Sequence, residues 1–235
     1  MDSPQTIVIP QRFCGPPNSG NGGYSCGILA KNIPGPSRVR LHSPPPLDSP
    51  LTLAEMDDCW VLTDKEQLIG KAIAAELNLE VPSAPSLEQA MSARKAYPQE
   101  LQRNFGSCFV CGPERSVGDG LRLFSGKVDS TDLVACDWEP SPDLLDSQGN
   151  VASEFVWSAL DCPSFFALDL GPDRASLLAQ MTCSIDKPVP DGEPLIVYAW
   201  KVRVDGRKGF SAAALSTANG EILARAEHLW IEVKL

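Results

Sequence analysis

Asp161 is the residue of this chain whose surroundings most demand a chemical account. It lies within Val151 to Leu168, VASEFVWSALDCPSFFAL, the one long helical pattern present, and that pattern is apolar nearly all round. An ionised carboxylate there is costly unless it is paired, hydrogen-bonded to backbone near Pro163, or facing a cleft where it can take up a proton. Glu154, two helical turns earlier on the same face, is a second candidate, although an acid in a first helical turn is also ordinary dipole complementation. The segment NGGYSCGIL offers the opposite chemistry. Gly22 and Gly23 follow Asn21 where a short helix begins, so their N–H groups lack intrahelical acceptors, the helix dipole favours negative charge, and no side chain blocks the backbone. Such a pair can hold an oxygen that is gaining charge; the alternative is a flexible glycine loop. Ser25 and Ser158 add hydroxyls, of a kind helices carry routinely.

Cys108 and Cys111 form a CxxC, which raises zinc and redox readings. A structural zinc needs four ligands, and no second pair exists at similar spacing. Cys14, which shares the tripeptide CGP with Cys111, would make only three. The expectation is therefore a packed, reduced turn, with no metal and no cofactor. Arg38, Arg40, Arg203, Arg207 and Lys208 could bind phosphates, since arginine forks match phosphate oxygens, but solvated strand positions explain them equally.

Around these residues the chain alternates between strands and helices. Thr6 to Ile9 reads as a strand closed by Pro10, and Tyr24 to Ile33 as a brief helix stopped by Pro34 and Gly35. Ser86 caps a surface helix over Leu87 to Tyr97. Gly120 to Lys127 and Leu133 to Trp138 read as strands, as does most of Ala175 to Leu235, with Trp200 and Trp230 in the core. Residues 39–76 and 177–227 repeat one pattern: a strand into a Pro-rich elbow, a turn, further strands, and a hairpin with a polar tip at Thr63 to Lys65 or Ala218 to Gly220. The chain thus reads as two copies of one α+β unit, each an antiparallel sheet about a central helix, with the first copy shortened. The expected bounds are 1–80 and 107–235, joined by a connector over 81–106.

Twenty basic against thirty acidic residues give a net charge of −10, which repels a phosphate backbone and argues against nucleic-acid binding. The start, MDSPQTIVIPQRF, has no signal-peptide pattern, and the longest apolar stretch is broken by Asp161 and Pro163, so no membrane span is expected. Eight scattered cysteines fit reduced thiols in the cytoplasm.

CFVCGP followed by GLRL, the helix with WSALDCP, and the closing GEILARAEHLWIEV together resemble the hot-dog fold of the acyl-CoA thioesterase superfamily, and the tandem arrangement resembles its double hot-dogs. The resemblance implies a pseudo-dimer within one chain, an acyl-CoA or other acyl thioester as substrate, and further assembly into a homo-oligomer. It implies that Gly22 and Gly23 are oxyanion donors with Asn21 beside them, and that Asp161, or failing it Glu154, meets them from the other half to orient water. One composite site results, because the mirror position pairs Ala152 and Ser153 with a helix that offers no carboxylate. Hydratases on this fold also use a histidine, whereas His42 and His228 both lie on strands. The rival readings are a non-catalytic binder of acyl thioesters or small ligands that keeps the tunnel, and a protein whose sheet only mediates assembly.

Overall fold

A computed structural model describes residues 3–98, 105–171 and 174–233. The strands are β1 (Gln5–Val8), β2 (Ser37–Leu41), β3 (Pro50–Met56), β4 (Cys59–Asp64), β5 (Gln67–Ala74), β6 (Gly126–Lys127), β7 (Leu133–Trp138), β8 (Ala175–Ile185), β9 (Leu195–Asp205), β10 (Lys208–Thr217) and β11 (Ile222–Val233). The helices are α1 (Gly22–Ala30), α2 (Leu87–Ala93) and α3 (Ser153–Phe166). All strands join one antiparallel sheet in the order β1-β3-β4-β5-β2-β8-β11-β10-β9-β7-β6.

That order reads alike from both sides of the β2–β8 seam. β5, β4, β3 and β1 run outward on one side, and β11, β10, β9 and β7 on the other, so the repeat seen in the sequence is a pseudo-two-fold in the sheet. At the seam Val39 faces Met181, and both are fully buried. The N-terminal copy is shorter strand for strand: β2 to β5 have 5, 7, 6 and 8 residues against 11, 11, 10 and 12 in β8 to β11. The turns follow from residue type. Asp57 and Asp58 both take positive φ between Met56 and Cys59, the twist a two-residue hairpin requires.

The concave face wraps α1 and α3, which pack antiparallel. Gly23 lies against Trp157, Ser158 and Asp161, and Gly27, one turn later, against Glu154 and Trp157. A Cβ on Gly27 would come 2.5 Å from the Glu154 Cα, and one on Gly23 2.6 Å from the Asp161 Cβ, so two glycines at helical spacing bring the backbones into direct contact. On the convex face α2 buries Ala90 and Ala93 against Ile196 and Tyr198 of β9, while Leu195, Val197 and Ala199 of that strand face the main core. This two-sided cover explains why β9 begins as an unbroken apolar run, LIVYA, and turns exposed once past α2.

Several expectations change at their edges. α1 starts at Gly22, where Asn21 caps it, and ends at Ala30. The helix capped by Ser86 carries the reciprocal Ser86–Gln89 capping box, gives way to a 3-10 turn at Arg94, and lies packed on the sheet along one side. Within Gly120 to Lys127 only Gly126 and Lys127 pair as a strand. Arg122 adopts φ 53°, and the Leu121 and Leu123 amides bond instead to the carbonyls of Phe109 and Val110. Trp230 is buried, whereas Trp200 is half-buried beside the α2 cluster. Residues 99–104 of the expected connector lie outside the described residues. No helix among the described residues is long and apolar enough to cross a membrane.

Candidate active site

Asn21 organises the junction of the two helices. As N-cap of α1 its Oδ1 accepts from the Tyr24 amide at 2.9 Å, which fixes the side-chain amide so that Nδ2 points outward and donates to Asp161 Oδ2 at 2.8 Å. The Gly23 amide donates to the same carboxylate oxygen at 3.0 Å. Residues from the two halves of the chain, Asn21 and Gly23 on one side and Asp161 on the other, therefore meet in a single cluster. Asp161 Oδ1 has no partner among the described residues. Burial dominates the carboxyl and raises it to about 7; the Gly23 amide works against that shift, nearby Cys108 adds to it, and the Asn21 bond opposes it.

Asp161 and Gly22 border a cavity of about 550 Å³, a size that suits a small-molecule ligand. Its walls are mostly apolar, with Leu178, Phe165 and Trp230 on one side and the Pro-rich elbow at Pro45 on another. The Gly22 amide, first in α1, has no partner among the described residues. The two glycines thus differ: the N–H of Gly23 is taken by Asp161, and that of Gly22 remains at the cavity wall.

The other sequence candidates fall elsewhere. Glu154 sits at the far end of the helix contact, 3.2 Å from Lys31 Nζ, and does not join Asn21 and Gly23. Ser25 and Ser158 each bond back to the carbonyl four residues earlier, at 2.8 and 2.7 Å, as helical serines do. His42 is exposed at the cavity rim, and His228 is buried in β11 with neither ring nitrogen partnered among the described residues. The basic residues form two groups rather than one patch: Arg38 and Arg40 are on β2, and Arg203, Arg207 and Lys208 are at the β9–β10 hairpin, with β8 and β11 between.

Sequence reasoning did not find the third thiol of the CxxC. Cys162, next after Asp161 on α3, places its sulfur 3.7 Å from that of Cys108, and the sulfurs of Cys108, Cys111 and Cys162 all lie within 4.8 Å of one another. Asn21 Nδ2 is 4.0 Å from both Cys108 and Cys162. Cys14 does not join them; its sulfur contacts the Ser107 carbonyl and Arg115 Nη2, each at 3.2 Å. The adjacency of Cys162 to a buried acid was the available sequence signal.

No protein-family model matches this sequence, and no curated protein does. Solved structures do resemble it. They include a TesB protein from Mycobacterium avium subsp. paratuberculosis, with TM-score 0.63 and 11% identity over 98% of this chain and 93% of that one. Acyl-CoA thioesterase II TesB2 from Mycobacterium marinum gives TM-score 0.63 and 8% identity over 99% and 93%. A hot-dog-fold protein of unknown function from Alicyclobacillus acidocaldarius gives 0.61 and 10% over 99% and 94%. With its palindromic sheet and two enclosed helices, the chain has the double hot-dog fold.

Proposed function

We propose that this protein hydrolyses an acyl thioester, with acyl-CoA as the carrier class, at one composite site between residues 1–80 and residues 107–235. The observation that carries the reading is Asp161: a buried carboxylate on a residue that lines an apolar cavity, oriented through Oδ2 by Asn21 and Gly23, with Oδ1 unpartnered among the described residues. In this reading Oδ1 takes a proton from water as the water oxygen attacks the thioester carbonyl. The Gly22 N–H and the positive end of α1 hold the carbonyl oxygen as it gains charge, and the C–S bond then breaks, the thiolate leaving with a proton. Gly23 and Asn21 are positioning residues. Hydrolysis of thioesters by structural neighbours such as acyl-CoA thioesterase II supports the reaction class.

A panel of acyl-CoAs of differing chain length, followed by release of free thiol, tests this. Asp161→Asn is expected to lower kcat/KM by about 100- to 10,000-fold with an unchanged circular dichroism spectrum. Unchanged hydrolysis by a folded variant removes the assignment. One observation favours the binding-only reading: the Gly23 amide is already engaged by Asp161, so of the two glycines only Gly22 keeps its amide for a ligand. Saturable binding of acyl-CoAs without turnover would select it.

A further inference from the structure

The thioester reading leaves three thiols unused beside Asp161. Five of the eight cysteines serve as apolar filling or sit against polar neighbours: Cys14 near Ser107 and Arg115, Cys59 near the Met56 carbonyl, and Cys136 near Ser125, with Cys26 and Cys183 in the packed core. Cys108, Cys111 and Cys162 are different, because two segments separated by most of β6, β7 and the start of α3 bring their sulfurs to one point.

The turn that carries the first two is built tightly. The Gly112 amide bonds to the Cys108 carbonyl at 2.9 Å, and a Cβ on Gly112 would lie 2.4 Å from the Gly106 carbonyl oxygen and 2.5 Å from that of Cys108, so only glycine closes it. The rest of the segment has almost no regular secondary structure and is nevertheless fixed. Tyr97 donates its hydroxyl to the Cys111 carbonyl at 2.7 Å, the Leu121 and Leu123 amides each bond across to the turn at 2.8 Å, and Arg115 donates to the carbonyls of Ser107 and Arg12 at 2.8 and 2.7 Å. An irregular segment held by that many bonds is being held for its geometry.

The spacing fits one ion. With Zn–S bonds of about 2.3 Å a tetrahedral site separates its sulfurs by about 3.8 Å, whereas a disulfide needs about 2.05 Å. The Cys108–Cys162 distance is 3.7 Å, and the third sulfur is within 4.8 Å of both. All three cysteines are buried and line the main cavity, so a donor in that cavity lies beside the cluster. Thiolate donors select zinc over harder divalent cations.

We propose that Cys108, Cys111 and Cys162 form a three-thiolate site for a single Zn²⁺ ion, with the fourth coordination position facing the cavity and filled by water or by a donor atom of the bound ligand. Each thiol entering the coordination sphere gives its proton to solvent, and no oxidant or reductant takes part. The site is defined by metal binding alone, so it stands or falls separately from the hydrolytic reading.

The test uses the full chain, purified reduced and freed of metal with a chelator, then titrated with Zn²⁺ and with Co²⁺. The expected result is one Zn²⁺ per chain and, with Co²⁺, the sulfur-to-cobalt charge-transfer band and intense visible bands of a tetrahedral thiolate site, erased by Zn²⁺. Cys162→Ser is expected to weaken Zn²⁺ by at least about 100-fold and to erase the cobalt bands, while Cys14→Ser leaves both unchanged. Failure of the wild-type chain to take up one equivalent of Zn²⁺, or cobalt bands that survive in folded Cys162→Ser, overturns the proposal. If Cys162→Ser does not fold, Cys108→Ser carries the same expectations, and the wild-type titration decides in any case. A disulfide between any two of the three cysteines in freshly isolated protein also overturns it, in favour of a redox pair.

Discussion

Replacing Gly23 and Gly27 in turn by alanine separates packing of the two helices from positioning of the carboxylate. A Cβ at Gly23 would lie 2.6 Å from the Asp161 Cβ and 2.7 Å from the Trp157 carbonyl oxygen; at Gly27 it would lie 2.5 Å from the Glu154 Cα. Each contact is roughly 1 Å inside ordinary carbon contact, and the opposing atoms belong to or adjoin helix backbone, so neither can swing away. Overpacking of this kind costs about 1–3 kcal/mol, and because the obstacle is backbone the upper end applies. Alanine returns about 1 kcal/mol through helix propensity, which leaves a loss of about 2 kcal/mol for each variant, or roughly 4–8 °C in melting temperature for a chain of this size.

The two variants should then diverge in activity. Gly23→Ala pushes directly on Asp161 and stretches the bonds of 3.0 and 2.8 Å that aim its carboxylate, and a misplacement of about 1 Å at a catalytic group lowers rate by about 100-fold. Gly27→Ala displaces Glu154 and Trp157, two turns and one turn from Asp161, and its kcat/KM is expected to stay within about tenfold of wild type. Melting curves by circular dichroism and acyl-CoA hydrolysis below both transitions measure the two effects. Equal activity losses in both variants, or wild-type kcat/KM in Gly23→Ala, would refute the assignment of Gly23 as the residue that positions Asp161.

Two further outcomes follow from polar groups, one buried and one half-buried. Burial depresses His228 to about 3, so the fold prefers the neutral ring; its contribution is complete above the unfolded value near 6.5 and is lost as pH falls toward 3. Urea unfolding should show the stability of wild type relative to His228→Gln falling by about 1.4 kcal/mol per pH unit within that window, and parallel curves would sink the account. Arg115→Met keeps the apolar stem but leaves the Arg12 carbonyl without its donor and the Ser107 carbonyl with only the weak Cys14 thiol, so a loss of roughly 1–3 kcal/mol is expected, with protease cleavage appearing between residues 105 and 120. A melting temperature within about 2 °C of wild type would contradict it.

The sequence carried the architecture because strand length and turn chemistry are local. Thr63 to Lys65 and Ala218 to Gly220 do lie at equivalent hairpin ends of the two copies, and the apolar stretch around Asp161 is the central helix. Local signals failed where one residue serves two elements. GLRLFSG has the apolar content of a strand, but its amides are engaged by the cysteine turn, so pairing begins only at Gly126. Asn21 reads as the residue that precedes the glycine pair, and nothing in spacing shows that its side-chain amide meets a carboxylate 140 residues on. Cys162 likewise sits beside a recognised acid, yet its partner sulfur is 54 residues earlier, beyond any metal-ligand spacing rule.

The pseudo-two-fold places an equivalent junction at the other end of the helix contact, and its differences explain why a single site is proposed. There the start of α3 carries Glu154 in its first turn, already neutralising the helix end and paired with Lys31, and the adjoining pocket, lined by Ala30, Lys31, Ser153 and Trp157, holds only about 150 Å³. The start of α1 has no acid in its first turn, so its dipole and the Gly22 amide remain available to a ligand, and the acid that faces them comes from the opposite helix. Two identical chains would have to carry both arrangements at both ends, where a lysine on α1 and an aspartate on α3 would conflict. Two unlike copies in one chain are free of that constraint: Lys31 pairs with Glu154 at one junction, while Asn21 meets Asp161 beside the larger cavity at the other.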